Sequence, residues 1–280
     1  MNIESMRAFL EIASAGSFQE AAERLHITQS AISARIKSLE QRLNRRLYLR
    51  KRSGVELTDA GQRLLRHAQN CVESWERAQQ EIALPNEFDN VISLGVQINL
   101  WNRLVNPWTQ WMEKHAPQFA TRIVSDYSER LLSLLRDGML DLAIVYSVRA
   151  HHSLIIETFT TENLVLVSTE PRSLNTGWTP GYIFVDWAED FLSQHHATFP
   201  DSPPPRLSVA SSTVALHHIL LHGGSGYFLE RDVKEQIESG ELMYVDDAPT
   251  FSRRSYLVYT GENDVPPALK QALAGLRAVM

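Results

Sequence analysis

A single cysteine, Cys71, is present among 280 residues. One thiol excludes an intrachain disulfide and a zinc site built from clustered cysteines, so stability is expected to come from packing. Long apolar runs are also missing. No stretch approaches the roughly 20 residues needed to cross a bilayer, and the opening MNIESMRAFLEIAS has an acidic residue where a signal peptide wants a basic region. A cytoplasmic protein without a membrane partner is expected. The composition lacks the biases of disordered or fibrous chains: hydrophobic residues make up 44% and charged residues 21%, as in globular proteins. The chain exceeds the roughly 100 to 200 residues usual for one domain, which points to two or more cores.

Positive charge is in deficit overall, with a net of −6. Its distribution is uneven. Residues 1–66 hold 12 Lys+Arg against 7 Asp+Glu, a net of +5, whereas residues 67–280 hold 15 against 26, a net of −11. Such asymmetry points to a basic module that meets an anionic polymer, joined to an acidic module with another task.

The basic segment reads as three short helices. Met6, Phe9, Leu10 and Ala13 repeat at helical spacing from about Ser5 to Ala15, and Gly16 stops that helix. Ser17 caps a second helix with Glu20 as its capping-box partner, and Phe18, Ala21, Ala22 and Leu25 form the buried stripe. A third begins near Thr28, with Ile32, Ile36, Leu39 and Leu43 on its inner face. Ala21, Ala22 and Ala31 let the second and third backbones approach closely, which is helix-turn-helix geometry. The outer face of the third helix offers Gln29, Ser30, Ser33, Ala34 and Lys37, with Arg35 beside them. Short hydrogen-bonding side chains let a helix sink into a major groove, where Gln pairs with adenine and Ser serves most base edges. A merely solvated face would favour Glu-Lys pairs, which this one lacks.

In RRLYLRKRSGVELTDAG, Leu47, Leu49, Val55 and Leu57 flank a turn expected at Ser53-Gly54, so the segment reads as a hairpin. Arg45, Arg46, Arg50, Lys51 and Arg52 crowd its tip and flanks, a density suited to phosphates or a minor groove. Helix and hairpin together make a winged helix-turn-helix. Thr58 and Asp59 then open a long helix that runs toward Pro85. Leu64, Ala68, Cys71, Trp75, Ala78 and Ile82 form a heptad seam about 40 Å long at roughly 1.5 Å per residue. A dimer seam is the favoured reading, because a lone reading module of this size gains affinity and half-site selectivity from a second copy. Packing of the helix on its own domain is the alternative.

Beyond Pro85 strands and helices alternate, which predicts an α/β unit with mostly parallel sheets. A strand pair is expected at SLIIETFTTENLVLVST. Strand-rich passages near 157–169 and 251–262 suggest two lobes joined by two crossovers, the architecture of a hinged small-molecule binder. The expected boundaries are 1–58 for the winged helix-turn-helix, 59–86 for the linker helix and 87–280 for the effector unit. Within that unit, lobe I takes 87–161 and 263–280, and lobe II takes 162–262.

Over essentially its whole length the chain resembles the LysR-type transcriptional regulators. The resemblance rests on MRAFLEIASAGSFQEAAERLHITQSAISARIKSLEQRL, LTDAGQRLL, the Pro117 that ends the helix after GVQINLWNRL, LLRDGMLDLAIV and VALHHILLHGGSGYFLE. LWNRLVNPW and WAEDFLSQH are similar to the branch containing a repressor of flagellar master genes. Ala34 stands where the family often has Arg, and Trp101 is large for its ligand-loop position. The resemblance implies a homodimer or dimer of dimers on double-stranded DNA, with a periplasmic-binding-protein-like domain that binds a small-molecule effector; it leaves a contact with RNA polymerase open. It places the effector between the lobes, against Asn99, Leu100, Trp101, Ser147, Val148, Asp186, Trp187, Ser211, Ser212 and Thr213. Ligands in open α/β sheets bind outside the carboxyl ends of strands, which agrees with that placement. Free N–H groups at the start of the Thr213 helix favour a carboxylate or phosphate, and Asp186 opposes one. No cofactor is expected.

Three features carry less. His218 and His222 are four apart, with His217 and His195-His196 nearby, but lack a carboxylate partner motif, so polar surface is the better reading than metal. GGSGY around Ser225 lacks the second flanking glycine of a nucleophile elbow, and no catalytic residue is expected. SPPPR at 202–206 is a stiff connector. The rival to a ligand-responsive regulator is an α/β binding protein or enzyme whose N-terminal helices only dimerise.

Overall fold

The computed structural model describes residues 2–51, 54–174, 181–261 and 265–280, which divide into two compact units, Met1–Asn86 and Glu87–Met280. In the first, α1 (Ile3–Ala15) is capped by the Asn2 side chain and ends at Gly16 in the left-handed conformation, φ 67°. Ser17 caps α2 (Phe18–Arg24) by accepting the Glu20 N–H at 3.4 Å. The reciprocal arm of the capping box is replaced, because Glu20 receives Arg24 at 2.5 Å. Thr28 caps α3 (Gln29–Leu43), accepting the Ala31 N–H at 3.2 Å.

Phe9, Ile12 and Ile32 are fully buried with Ala21 between the helices. Each such large side chain contributes about 1.5–3 kcal/mol on burial. The antiparallel hairpin of β1 (Tyr48–Lys51) and β2 (Gly54–Leu57) is closed by the Lys51–Gly54 pair, so Gly54 belongs to a strand instead of the predicted turn, and Ser53 lies outside the described residues. Buried Tyr48 fastens the hairpin to α1 by donating its hydroxyl to the Phe9 carbonyl at 2.5 Å, and Glu40 accepts the Leu47 N–H at 2.7 Å.

Thr58 opens α4 (Asp59–Ile82) by accepting the Gly61 N–H at 3.0 Å. The predicted seam on this helix divides in two. Ala68 is fully buried in the core of its own unit and Leu64 packs against that core, so these two positions are intramolecular. Further on, Cys71 and Ala78 are half-buried, while Trp75 is 48% and Ile82 86% exposed.

The second unit is one sheet in the order β4-β3-β5-β11-β6-β9-β7-β8, with β10 (Met243–Tyr244) added on β6. On one flank β3 (Asn90–Gln97) pairs in parallel with β4 (Phe119–Asp126) and β5 (Leu142–Val145); on the other β7 (Tyr182–Val185) pairs in parallel with β8 (Leu207–Val209) and β9 (Ser225–Leu229). The centre is antiparallel, contrary to the mostly parallel expectation, because two long strands run through both halves. The predicted strand pair is a single strand, β6 (Leu154–Ser168), lying against β11 (Phe251–Thr260). Its start and the end of β11 serve the β5 side, while its end serves β9. The ladder shifts register between Ser255 and Tyr256, opposite Phe159. Such a bulge bends a strand pair, and here it falls where the chain passes between the halves.

Helices cover the sheet: α5 (Trp101–His115), α6 (Ser128–Arg136) and α10 (Pro267–Ala278) belong to the β3 half, and α7 (Glu189–Thr198), α8 (Ser212–His222) and α9 (Lys234–Glu238) to the other. Trp108 anchors α5 from a fully buried position, donating its indole N–H to the Ala272 carbonyl at 3.1 Å.

Candidate nucleic-acid interface and effector cleft

The face of α3 opposite Ile32, Ile36 and Leu39 is open. Gln29, Ser30, Ala34 and Lys37 are exposed and Ser33 is half-buried. Arg35 departs from the expectation. A helix turns about 100° per residue, which carries Arg35 to the flank nearer α1, where it pairs with Glu4 at 3.2 Å. Glu4 also holds Arg7 at 3.2 Å, so Arg35 is committed to a bridge between α1 and α3. Arg45 and Arg46 are exposed at the hairpin's base; Arg50 and Lys51 belong to β1, and Arg52 lies outside the described residues. Ser30 is not wholly free for a base, because its hydroxyl shares a hydrogen bond with Thr28 at 2.9 Å.

In the second unit the residues expected around an effector do come to the same end of the sheet, but several are already used. Asn99 stands in the single turn Ile98–Leu100 after β3 and is 8% exposed. Its carbonyl oxygen accepts the Ser212 N–H at 2.9 Å and its amide donates to the Asp186 carbonyl at 3.3 Å. One side chain thus joins the β3 half to the start of α8 and the end of β7. Two of the expected donors at the head of α8 are therefore occupied: Asn99 takes the Ser212 N–H, and the Ser211 hydroxyl takes the Val214 N–H at 3.5 Å. Thr213 is exposed.

Trp187 is no cleft wall. It is fully buried and donates to the Tyr227 carbonyl at 2.9 Å. Leu100, 4% exposed, likewise belongs to the core, and Val148 packs against the cluster that includes Leu131 and Leu134. Trp101, 38% exposed, and the half-buried Asp186 and Ser147 remain available to the cleft. The Asp186 carboxylate also accepts the Ala188 N–H at 2.9 Å.

The sequence model for bacterial regulatory helix-turn-helix proteins of the lysR family matches residues 3–62, and that for the LysR substrate binding domain matches residues 85–280. The chain belongs to the LysR family. As a LysR-family transcriptional regulator it combines a DNA-binding helix-turn-helix unit with an effector-binding unit. It is 28% identical over 278 residues to the HTH-type transcriptional regulator HdfR of Escherichia coli, covering 98% of this chain and 97% of that protein. The fold is similar to that of CbnR, a LysR family transcriptional regulator, with a TM-score of 0.73 at 17% identity over 100% of this chain and 99% of CbnR. A full-length CbnR complexed with its target DNA gives 0.69 at 17% identity, covering 100% of both chains.

Within this LysR-family unit, the structure adds residues that sequence reasoning missed. Ser128, at the start of α6, is a buried hub: it donates to Gln97 Oε1 at 2.7 Å and accepts the N–H groups of Tyr146 and Ser147 at 3.1 and 3.3 Å. Beside it, Tyr127 has its phenol pKa raised by burial and by the nearby Asp186 carboxylate. On β11, Arg253 is 4% exposed and lies 4.2 Å over the Tyr146 ring. Alternation in FSRRSYLVY, where Phe251, Arg253 and Ser255 share the buried face, was the available signal. At the crossover, Glu162 accepts from both Arg103 of α5 and Arg231, the latter at 2.5 Å. Burial and Glu162 push the neighbouring Asp232 carboxyl up to about 6. His218 and His222 lie side by side with ring centroids 4.7 Å apart and their planes tilted by 53°, and Ser225 is a buried strand residue paired with Tyr182.

Proposed function

We propose that this regulator reads double-stranded DNA with the outer face of α3 while the basic hairpin grips phosphates, and that a small effector between the halves of the second unit adjusts that binding. The observation that carries the DNA reading is the open face of Gln29, Ser30, Ser33, Ala34 and Lys37 directly behind a rigid apolar stripe. Such a face inserts into a major groove without a side chain to fend it off. The family and the target-DNA complex of CbnR support the same assignment. Selecting genomic fragments with the full chain and repeating the selection with Gln29→Ala tests it: the preferred sequence should change, and an unchanged preference would reject α3 as the reader.

The chain acts as a homodimer or a dimer of dimers through the distal part of α4. Support comes from an apolar groove of about 810 Å³ between α1 and α4, lined by Ile3, Met6, Cys71, Trp75 and Ala78 among others. Trp75 and Ile82 leave further apolar area exposed along the same helix, and its burial against a second copy would contribute to association.

A further inference from the structure

We infer that Arg253 is the receptor for a small organic carboxylate, entered through the cavity between α7 and β11. The inference deepens the effector reading above and rests on it. It shifts the expected anion contact from the head of α8, whose Ser212 and Val214 N–H groups are taken, to a buried guanidinium that still has donors to offer.

Arg253 is 96% removed from solvent, and its guanidinium carbon stacks 4.2 Å over the Tyr146 ring. Nη1 faces Asp190 at 3.7 Å, beyond hydrogen-bonding distance, and Asp190 itself is 63% exposed. Nε and Nη2 are buried with no protein partner. These two nitrogens share one edge of the planar group, the edge whose parallel N–H bonds match the two oxygens of a carboxylate. A buried cation with that fork unused is costly, and an arginine cannot escape by giving up its proton. The hydroxyl of Tyr146, on the ring beneath the guanidinium, is also buried without a partner, as is Ser147 Oγ on the next residue. Arg253 and Tyr146, one stacked on the other, therefore both carry unmet hydrogen-bonding capacity where β5 ends and β11 passes.

Arg253 also lines a cavity of about 400 Å³, within the usual range for small-molecule sites, and because its Nε and Nη2 are closed to solvent an acid in that cavity must part α7 from β11 to meet the fork. Ser193, Gln194 and Ser252 offer hydrogen bonds on its walls, and Arg254 offsets Asp190. An acid seated there would touch α7 of one half and β11, the strand that runs through both, which is the position from which a ligand could bias the hinge.

The test titrates the full chain with malonate and with benzoate against chloride at equal ionic strength, reading melting temperature and calorimetric Kd. At least one acid should raise the melting temperature above the chloride control. Arg253→Lys, which keeps the charge and loses the fork, should weaken it at least tenfold, and Asp190→Asn should tighten it by a factor of about two to ten through removal of a like charge. Should Arg253→Lys not fold, Tyr146→Phe replaces it, with the arginine Nε–H resonances of the wild type followed by NMR; one such resonance must move on adding the acid. Failure of both acids to exceed chloride, unchanged affinity in Arg253→Lys or, in its place, in Tyr146→Phe, or a static set of Nε–H signals overturns the assignment. A neutral or cationic ligand that alters DNA binding with equal affinity in wild type and variant would overturn it too, while leaving the effector reading standing.

Discussion

Asn99→Ala is the sharpest probe of how the halves of the effector unit are held together. Two hydrogen bonds from one side chain disappear: the 2.9 Å bond that receives the Ser212 N–H and the 3.3 Å bond given to the Asp186 carbonyl. Each is worth about 1 kcal/mol net, and an unsatisfied buried donor adds a penalty of about 1–3 kcal/mol. Ser212 is 8% exposed, so its freed N–H pays part of that penalty. A total loss of about 2–4 kcal/mol is expected, a large share of the 5–15 kcal/mol that holds a typical domain. Urea unfolding read by tryptophan emission would report it, since five of the six tryptophans lie in the second unit. Asn99→Asp retains the acceptor for Ser212 and gains from a negative charge at the head of α8, so it should lose less than Asn99→Ala. Hydrogen exchange at the Ser212 amide should accelerate in Asn99→Ala and stay slow in Asn99→Asp. A loss below about 0.5 kcal/mol, within the ordinary range for surface changes, together with an unaltered Ser212 amide, would refute the latch.

Acid stability should carry two opposing slopes. Burial, aided by His196, lowers His195 from 6.5 to about 4, so between those values the unfolded chain takes up a proton that the folded chain refuses, and stability falls as pH drops, by at most about 3 kcal/mol. Asp232, raised from 3.8 to about 6, does the reverse, keeping its proton in the folded state and losing that stability as pH rises through the window. Asp232→Asn should therefore steepen acid destabilisation in a pH series of denaturant midpoints, and an unchanged slope would count against the assigned cause. Trp75→Glu should leave the unit folded, because Trp75 is 48% exposed, yet convert dimers to monomers in light scattering by burying a lone carboxylate worth several kcal/mol; an intact dimer would place the interface elsewhere. Arg46→Ala should weaken binding to all DNA sequences alike and reduce the salt slope by about 0.9 per lost phosphate contact, whereas Ser33→Ala should change sequence preference; identical behaviour of the two would remove the division of labour. Arg35→Ala, by contrast, should affect stability through its lost Glu4 bridge by about 1 kcal/mol or less and spare base preference.

The local devices of this protein were legible in its sequence because each depends on residues close along the chain. Ser17, Thr28 and Thr58 cap helices where a hydroxyl precedes an apolar repeat, and Gly16 ends α1 in the left-handed conformation that needs no Cβ. The face of α3 followed from a 3.6-residue period alone. What only the tertiary structure decided is which of those groups remain free. Arg35 looked available until α1 brought Glu4 to it, and Leu64 and Ala68 fitted a dimer seam until their own unit buried Ala68 and packed Leu64 against its core. The head of α8 looked like an anion site until Asn99, 113 residues earlier, filled it. Trp187 and Arg253 show the same limit: an indole that suits a ligand wall is sealed in the core, and an arginine that the sequence reading passed over keeps its bidentate edge unpaired on a buried strand face. Period and propensity are properties of a segment, whereas the satisfaction of a donor or a charge is set by whatever the fold carries to it from elsewhere in the chain.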